Sequence, residues 1–109
     1  MNIEIINDQF SVTAQIEVED LENLQLEGYD SIVCNRPDDE ESGQPKALEI
    51  KEACDALGLK FLHIPMTAPI YNEKDKVPFN EFLSDCTKTL GYCRTGRRAL
   101  VLYKGANDL

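Results

Sequence analysis

The segment Gly91-Tyr92-Cys93-Arg94-Thr95-Gly96-Arg97-Arg98 holds the residue types that a nucleophile site needs. A cysteine stands where an apolar run ends, with Gly96 and then Arg98 shortly after it. Successive N–H groups of a tight loop point inward and form an anion nest. The N-terminus of a following helix adds its positive end at the same point. Arg98 offers a planar fork that suits an oxyanion. All three favour the Cys93 thiolate, the reactive form of the side chain. The same pocket would hold an anionic substrate against the sulfur. Gly96 lets the backbone turn without a side-chain clash. A bare Cys-x4-Arg arises by chance. The full setting of strand, Cys, Gly, Arg and apolar helix carries the reading, against a plain alternative of a structural Cys beside a surface Arg cluster.

Charge singles out the same stretch. The 109 residues carry 11 Lys and Arg against 20 Asp and Glu, a net charge of −9. Between Cys86 and Asn107 there is no acidic residue, while Lys88, Arg94, Arg97, Arg98 and Lys104 give +5. The other six cations against twenty carboxylates leave −14 elsewhere. Arginine concentrated in one loop of an acidic chain points to a local anion site. A basic face of a C-terminal helix is the alternative.

The overall charge argues against duplex DNA or an anionic membrane as a partner. No apolar run approaches the roughly 18 residues of a membrane helix. The start Met1-Asn2-Ile3-Glu4 has no basic signal-peptide character. The expectation is a cytoplasmic protein with reduced thiols. It is also for a single domain over residues 1–109, with a core that buries roughly 60–70% of the unfolded surface.

The elements that must position the loop follow from hydrophobic pattern. Short strands are expected over 2–6 and 10–14, a helix over 17–27 ended by Gly28, and a strand over 29–34. Asn35-Arg36-Pro37-Asp38 breaks that strand, and Asp38 to Gly43 reads as a polar loop. Residues 45–57 form an amphipathic helix with Ala47, Ile50, Cys54 and Leu57 on one face, Pro45 in the first turn and Gly58 at the end. A strand over 59–64 stops at Pro65, a loop covers 66–76, and a helix covers 77–87. A strand over 89–92, the loop 93–97 and a last helix from Arg98 to Lys104 complete the chain. Strands alternating with helices predict an α/β fold, a central mostly parallel sheet flanked by helices. Ligands in such sheets sit beyond the carboxyl ends of the strands. Two Arg-bearing loops lie there, Asn35–Asp38 and Cys93–Arg98, which suggests one shared site.

The remaining reactive types read as structural. Cys34, Cys54, Cys86 and Cys93 contain no C-x2-C pair and His63 is the only histidine, so a zinc site is not expected. No cofactor is indicated. Cys54 and Cys86 fall on apolar helix faces. Cys34 is either a buried structural thiol or a resolving thiol near Cys93. His63 alternates within a strand and reads as a satisfied core histidine. The run Asp38–Glu41 reads as a solvated loop.

These residues carry a resemblance that spans nearly the whole chain. "SVTAQIEVEDL" (11–21), "GYDSIVCNRPDDEESGQP" (28–45), "LGLKFLHIPM" (57–66) and "YCRTGRRA" (92–99) resemble the phosphatase-like domain of β-lactamase-hydrolase-like proteins. That resemblance implies a fold similar to the dual-specificity cysteine phosphatases. It implies Cys93 as nucleophile and Arg98 as the anion-binding arginine, with Arg94, Thr95, Gly96 and Arg97 as the substrate cradle. It further implies that Asn35, Arg36 and Asp38 brace the loop or face the pocket. The loop alone also resembles that of rhodanese-type sulfurtransferases.

Three departures bear on the chemistry. Cys-x4-Arg is one residue shorter than the Cys-x5-Arg loop of tyrosine phosphatases. Tyr92 stands where those enzymes usually have His. Their general-acid Asp would fall near Thr67-Ala68, with Glu73 or Asp75 as the nearest acids on that loop. A general acid is worth about 10²–10⁴-fold to a phosphatase. Expulsion of sulfite or a thiolate needs none, and thiol exchange depends on an accessible low-pKa thiolate. The expectation from sequence is therefore a sulfurtransferase that carries a persulfide on Cys93, with a small anionic substrate such as thiosulfate, a persulfide or a phosphate ester. A phosphatase working through phosphocysteine is the alternative. A non-catalytic anion-binding module is a second.

Overall fold

A computed structural model describes residues 1–107. Five strands form one sheet: β1 (Glu4–Ile5), β2 (Phe10–Thr13), β3 (Ser31–Cys34), β4 (Lys60–His63) and β5 (Thr89–Tyr92), in spatial order β1-β2-β5-β3-β4. Only the β1–β2 pair is antiparallel; the other neighbours are parallel. The three inner strands are buried at every position, as continuous apolar runs in parallel sheets should be. Both edge strands are more open.

Four helices cover the two faces: α1 (Leu21–Leu26), α2 (Ala47–Leu57), α3 (Lys76–Ser84) and α4 (Arg97–Ala106). Side chains alternate along β3, which divides the core. Ile32 and Cys34 join Leu21, Leu24, Ile50 and Cys54 under α1 and α2. Val33 joins Phe10, Phe79, Ala99 and Leu102 under α3 and α4. Phe10 stacks on Tyr103 at 4.1 Å, and Phe79 meets Phe10 edge-on at 6.0 Å. The polar pair inside the sheet is satisfied: Ser31 Oγ and Thr89 Oγ1, neighbours on β3 and β5, lie 2.6 Å apart. The fold is thus the α/β architecture that the sequence predicts.

Boundaries differ where local chemistry intervenes. The region 17–27 opens as a 3₁₀ turn over Val18–Asp20, because the Asp20 carboxylate turns back to accept the Glu17 N–H at 2.8 Å. α2 starts at Ala47, whose N–H donates to Asp38 Oδ1 at 2.8 Å. It ends at Gly58 in the left-handed region, φ 78°. α3 stops at Ser84, and Cys86 lies beyond it, half-buried, donating to the Phe82 carbonyl. One glycine sets the distance between β5 and α4. A Cβ on Gly91 would meet Phe10 Cζ at 2.9 Å and Ala99 Cβ at 3.3 Å, so α4 could not lie this close to the strand. No helix among the described residues is long and apolar enough to cross a membrane.

Candidate active site

β5 ends at Tyr92 and α4 begins at Arg97, so the loop Cys93–Gly96 lies at the carboxyl end of the central strand. Gly96 closes the turn with φ 97°, and a Cβ there would press on the Thr13 carbonyl oxygen at 3.2 Å. The tight turn brings its own N–H groups to the sulfur: Gly96 N–H donates to Cys93 Sγ at 3.0 Å. Burial pushes the Cys93 thiol up, but the N–H groups of Ala99, Thr95, Arg98 and Gly96 outweigh it. The net result is a thiol below its ordinary value, so the loop and the first turn of α4 stabilise the thiolate. Cys93 itself is fully buried.

Arg98 leaves the first turn of α4 and is fixed on two sides. Nη1 donates to Glu40 Oε2 at 2.7 Å and to the Met66 carbonyl at 2.6 Å, and Nη2 donates to Glu40 Oε1 at 2.8 Å. Glu40 is held in turn by Arg36, whose Nε donates to Oε1 at 2.9 Å. Arg36 is 3% exposed, and its Nη1 donates to Gln15 Oε1 at 3.1 Å. The two guanidinium groups, Arg98 first, hold the Glu40 carboxyl down at about 2, against partial desolvation. A parallel pair forms above, where Arg94 Nε lies 3.1 Å and Arg36 Nη2 3.6 Å from Glu41 Oε1. Arg36, Glu40, Glu41, Thr67, Arg94 and Arg98 line a cavity of about 340 Å³.

The two loops that the sequence assigns to one site therefore do meet, but the cradle residues divide. Arg36, Arg94 and Arg98 line the cavity together, while Cys93 lies buried off its lining and meets the group through Arg98. Thr95 and Gly96 serve Cys93 through their N–H groups. The Thr95 hydroxyl accepts from Arg97 N–H at 3.3 Å, and Arg97 is exposed. All three of Thr95, Gly96 and Arg97 line a different cavity, beside Asn2, Ile3 and Thr13. Asn35 is buried and staples the strand ends: its N–H donates to the Tyr92 carbonyl at 2.8 Å and its Nδ2 to the Ile64 carbonyl at 2.9 Å. Asp38 caps α2. Neither Asn35 nor Asp38 lines the Arg98 cavity.

Three participants escape the sequence reading: Glu40, Glu41 and Gln15. The signal for the first two is charge complementarity. An acidic run and a basic run sit on loops at the same end of one sheet, and opposite charges there pair.

The β4–α3 loop, where a proton donor is expected, sends Thr67 to the cavity. Glu73 accepts the Tyr71 hydroxyl at 3.1 Å, and Asp75 lines a separate cavity with His63. His63 Nε2 lies 2.9 Å from the Arg36 carbonyl oxygen. Cys34 packs with Tyr92 and Cys54 under α1 and α2, and its sulfur donates to the Arg36 carbonyl. Burial pushes the Cys34 thiol up and the Cys54 thiol up to about 12, so both behave as packing groups. No cluster of potential metal ligands exists among the described residues.

A cysteine cradled between the central strand and α4, on a sheet of this order, places the chain in the fold class of the dual-specificity cysteine phosphatases. More narrowly, residues 2–107 match the family described as "Beta-lactamase hydrolase-like protein, phosphatase-like domain", and the chain belongs to that family. It is 33% identical over 99 residues to a beta-lactamase hydrolase-like protein of Agrobacterium fabrum, covering 90% of this chain and 23% of the relative. The chain spans about a quarter of the length of the curated relatives it matches. Among solved structures it is similar to a candidate phosphatase from Neisseria meningitidis, with TM-score 0.82 and 32% identity over 94% of this chain and 74% of that one. The fold is also that of P. aeruginosa TpbA, solved in complex with pTyr, with TM-score 0.60 and 13% identity over 87% of this chain and 54% of that one.

Proposed function

We propose that this domain is a cysteine-dependent phosphatase, passing the phosphoryl group of an ester first to Cys93 and then to water. The carrying observation is how the donors of Arg98 are used. A guanidinium has five N–H donors. Glu40 and the Met66 carbonyl engage both on Nη1 and one on Nη2. Nε–H and the second Nη2–H remain, side by side on one edge, a spacing that suits two phosphoryl oxygens. Arg98 also interacts with the Cys93 sulfur. Glu40 thus braces the arginine from its far end and leaves the other edge turned toward the Cys93 sulfur, where a phosphoryl group would sit.

In the first step a sulfur lone pair of the Cys93 thiolate attacks phosphorus. The S–P bond forms as the P–O bond breaks, and that electron pair leaves on the oxygen. The loop N–H groups and the Arg98 edge hold the equatorial oxygens, where charge is spread in the transition state. Water then attacks phosphorus and gives up a proton to solvent; the S–P bond breaks with its electron pair on sulfur, releasing inorganic phosphate and the thiolate. Family membership supports this reading, as does the likeness to the Neisseria protein. The pTyr bound to TpbA supports a phosphate ester as the ligand class.

Sulfur transfer is the second reading, and the specific observation for it is loop length. Cys93 and Arg98 bracket four residues, which makes a smaller ring than Cys-x5-Arg. The two separate cleanly. Wild type and Cys93→Ser are assayed for phosphate release from p-nitrophenyl phosphate, and intact mass is read after thiosulfate. Phosphate release that vanishes in Cys93→Ser is expected. One added sulfur on Cys93, removable by cyanide, without phosphate release would replace the proposal by sulfur transfer.

A further inference from the structure

Every carboxylate that lines the Arg98 cavity is engaged with arginine. Glu40 accepts from both Arg98 nitrogens and from Arg36. Glu41 pairs with Arg94 and Arg36. The neighbouring acids are turned elsewhere: Glu73 to the Tyr71 hydroxyl and Asp75 to the next cavity, while the His63 ring nitrogen meets the Arg36 carbonyl. The β4–α3 loop contributes Thr67, whose hydroxyl is too weak an acid to protonate a departing oxygen in step with bond breaking. Arginine does not give up its proton in proteins.

From this arrangement we infer that the site takes phosphoryl compounds whose leaving group departs as an anion without a proton: mixed phosphate–carboxylate anhydrides and activated aryl esters, with alkyl esters excluded. The inference rests on the phosphatase reading and narrows its substrate class. In the step itself the P–O electron pair stays on the leaving oxygen. Arg94, two-thirds exposed at the cavity wall and paired with Glu41, adds a cation there but no proton to give. A carboxylate leaves readily in this way. A phenolate, with a parent pKa of about 10, leaves poorly, and an alkoxide worse still. The low proton affinity of Glu40 has the same meaning, since its carboxyl is ionised throughout the neutral range.

The test compares kcat/KM for acetyl phosphate, p-nitrophenyl phosphate, phenyl phosphate and phosphoserine. That constant reports expulsion of the leaving group, whereas hydrolysis of phosphocysteine is common to all four. Cys93-dependent turnover of the first two is expected, with a fall of at least about 100-fold to phenyl phosphate, the size of the missing acid's contribution. Phosphoserine should give no turnover. Thr67→Asp supplies a carboxyl at the cavity wall and should narrow the gap between nitrophenyl and phenyl esters. Equal kcat/KM for those two esters in the wild type would overturn the inference while leaving the phosphatase reading intact. Absence of Cys93-dependent turnover with all four would sink the phosphatase reading and the selectivity with it.

Discussion

The loops after β3 and β4 lie against each other over one end of the sheet, and both carry carboxylates, yet only the first brings its carboxylates to the site. They are stitched together where they start: Met66 N–H donates to the Asn35 carbonyl and Asn35 Nδ2 to the Ile64 carbonyl. Beyond that point they diverge. The first loop folds around Arg36, a cation with 3% exposure, and that buried charge draws Glu40 inward and toward Arg98. The second has no buried charge. Its Ile70 is 74% exposed, and its acids serve local contacts. A buried cation needs a partner, because an unpaired one costs several kcal/mol. The ion pair therefore decides which loop turns its carboxylates toward Arg98.

Substitutions can break this contrast, beginning with the largest effect. Cys93→Ser should reduce phosphate release to background, since no other thiol lies in the cradle. Arg98→Lys keeps the charge but loses the planar fork, and kcat/KM should fall by about 10²–10³-fold, the range for removing one transition-state donor. Arg36→Met leaves Glu40 and Gln15 without their shared partner. Glu40 keeps Arg98, so denaturant unfolding should register about 1.5–3 kcal/mol of lost stability, the range for hydrogen bonds to charged groups. The matching change on the second loop, Glu73→Gln, should stay within about 0.5 kcal/mol and leave kcat/KM unaltered. If Arg36→Met proves as mild as Glu73→Gln, the contrast between the loops is wrong.

Proton linkage gives a finer probe. The Glu40 carboxyl lies near 2 in the folded protein, against an ordinary value of 4.5. Between those values the unfolded chain binds more protons than the folded one. The stabilisation is therefore complete above about pH 4.5 and is lost as pH falls toward 2. Glu40→Gln should flatten stability against pH in that window, measured by thermal melts across the acid range. An unchanged slope would mean that the carboxylate is not paired as described. The smallest signal is spectroscopic. Thiolate absorbance, wild type minus Cys93→Ser, should titrate below the ordinary thiol value of 9.0.

How far the sequence reveals this arrangement depends on the range of the interactions. The strand Ser31–Cys34, the helix Ala47–Leu57 and the nucleophile loop are written in local terms: an apolar run, a repeat of apolar residues, a Gly at a left-handed turn. Cys93 and Arg98 are legible because the cradle is built from adjacent backbone. Glu40 is not. Its partner Arg98 is 58 residues away, and its neighbours Asp39 and Glu41 are exposed at 80% and 57%. One inward acid within a solvated run leaves no periodic trace. Arg97 shows the converse, since the cradle motif includes it but the first turn of α4 rotates it away from Arg98 and out to solvent. The choice between phosphoryl and sulfur chemistry rests, in the sequence, on the lack of a proton donor near Thr67-Ala68 of the β4–α3 loop. The structure adds what the sequence does not show, that the carboxylates at the cavity come from the other loop and brace arginine.

The central claim is that Cys93 becomes covalently phosphorylated in a cradle completed by Arg98. Mass spectrometry of protein quenched in acid during turnover of p-nitrophenyl phosphate tests it directly. One phosphoryl group on the peptide that contains Cys93, absent from Cys93→Ser, is the predicted result. Phosphate release that persists in Cys93→Ser with no adduct on the wild type would contradict it.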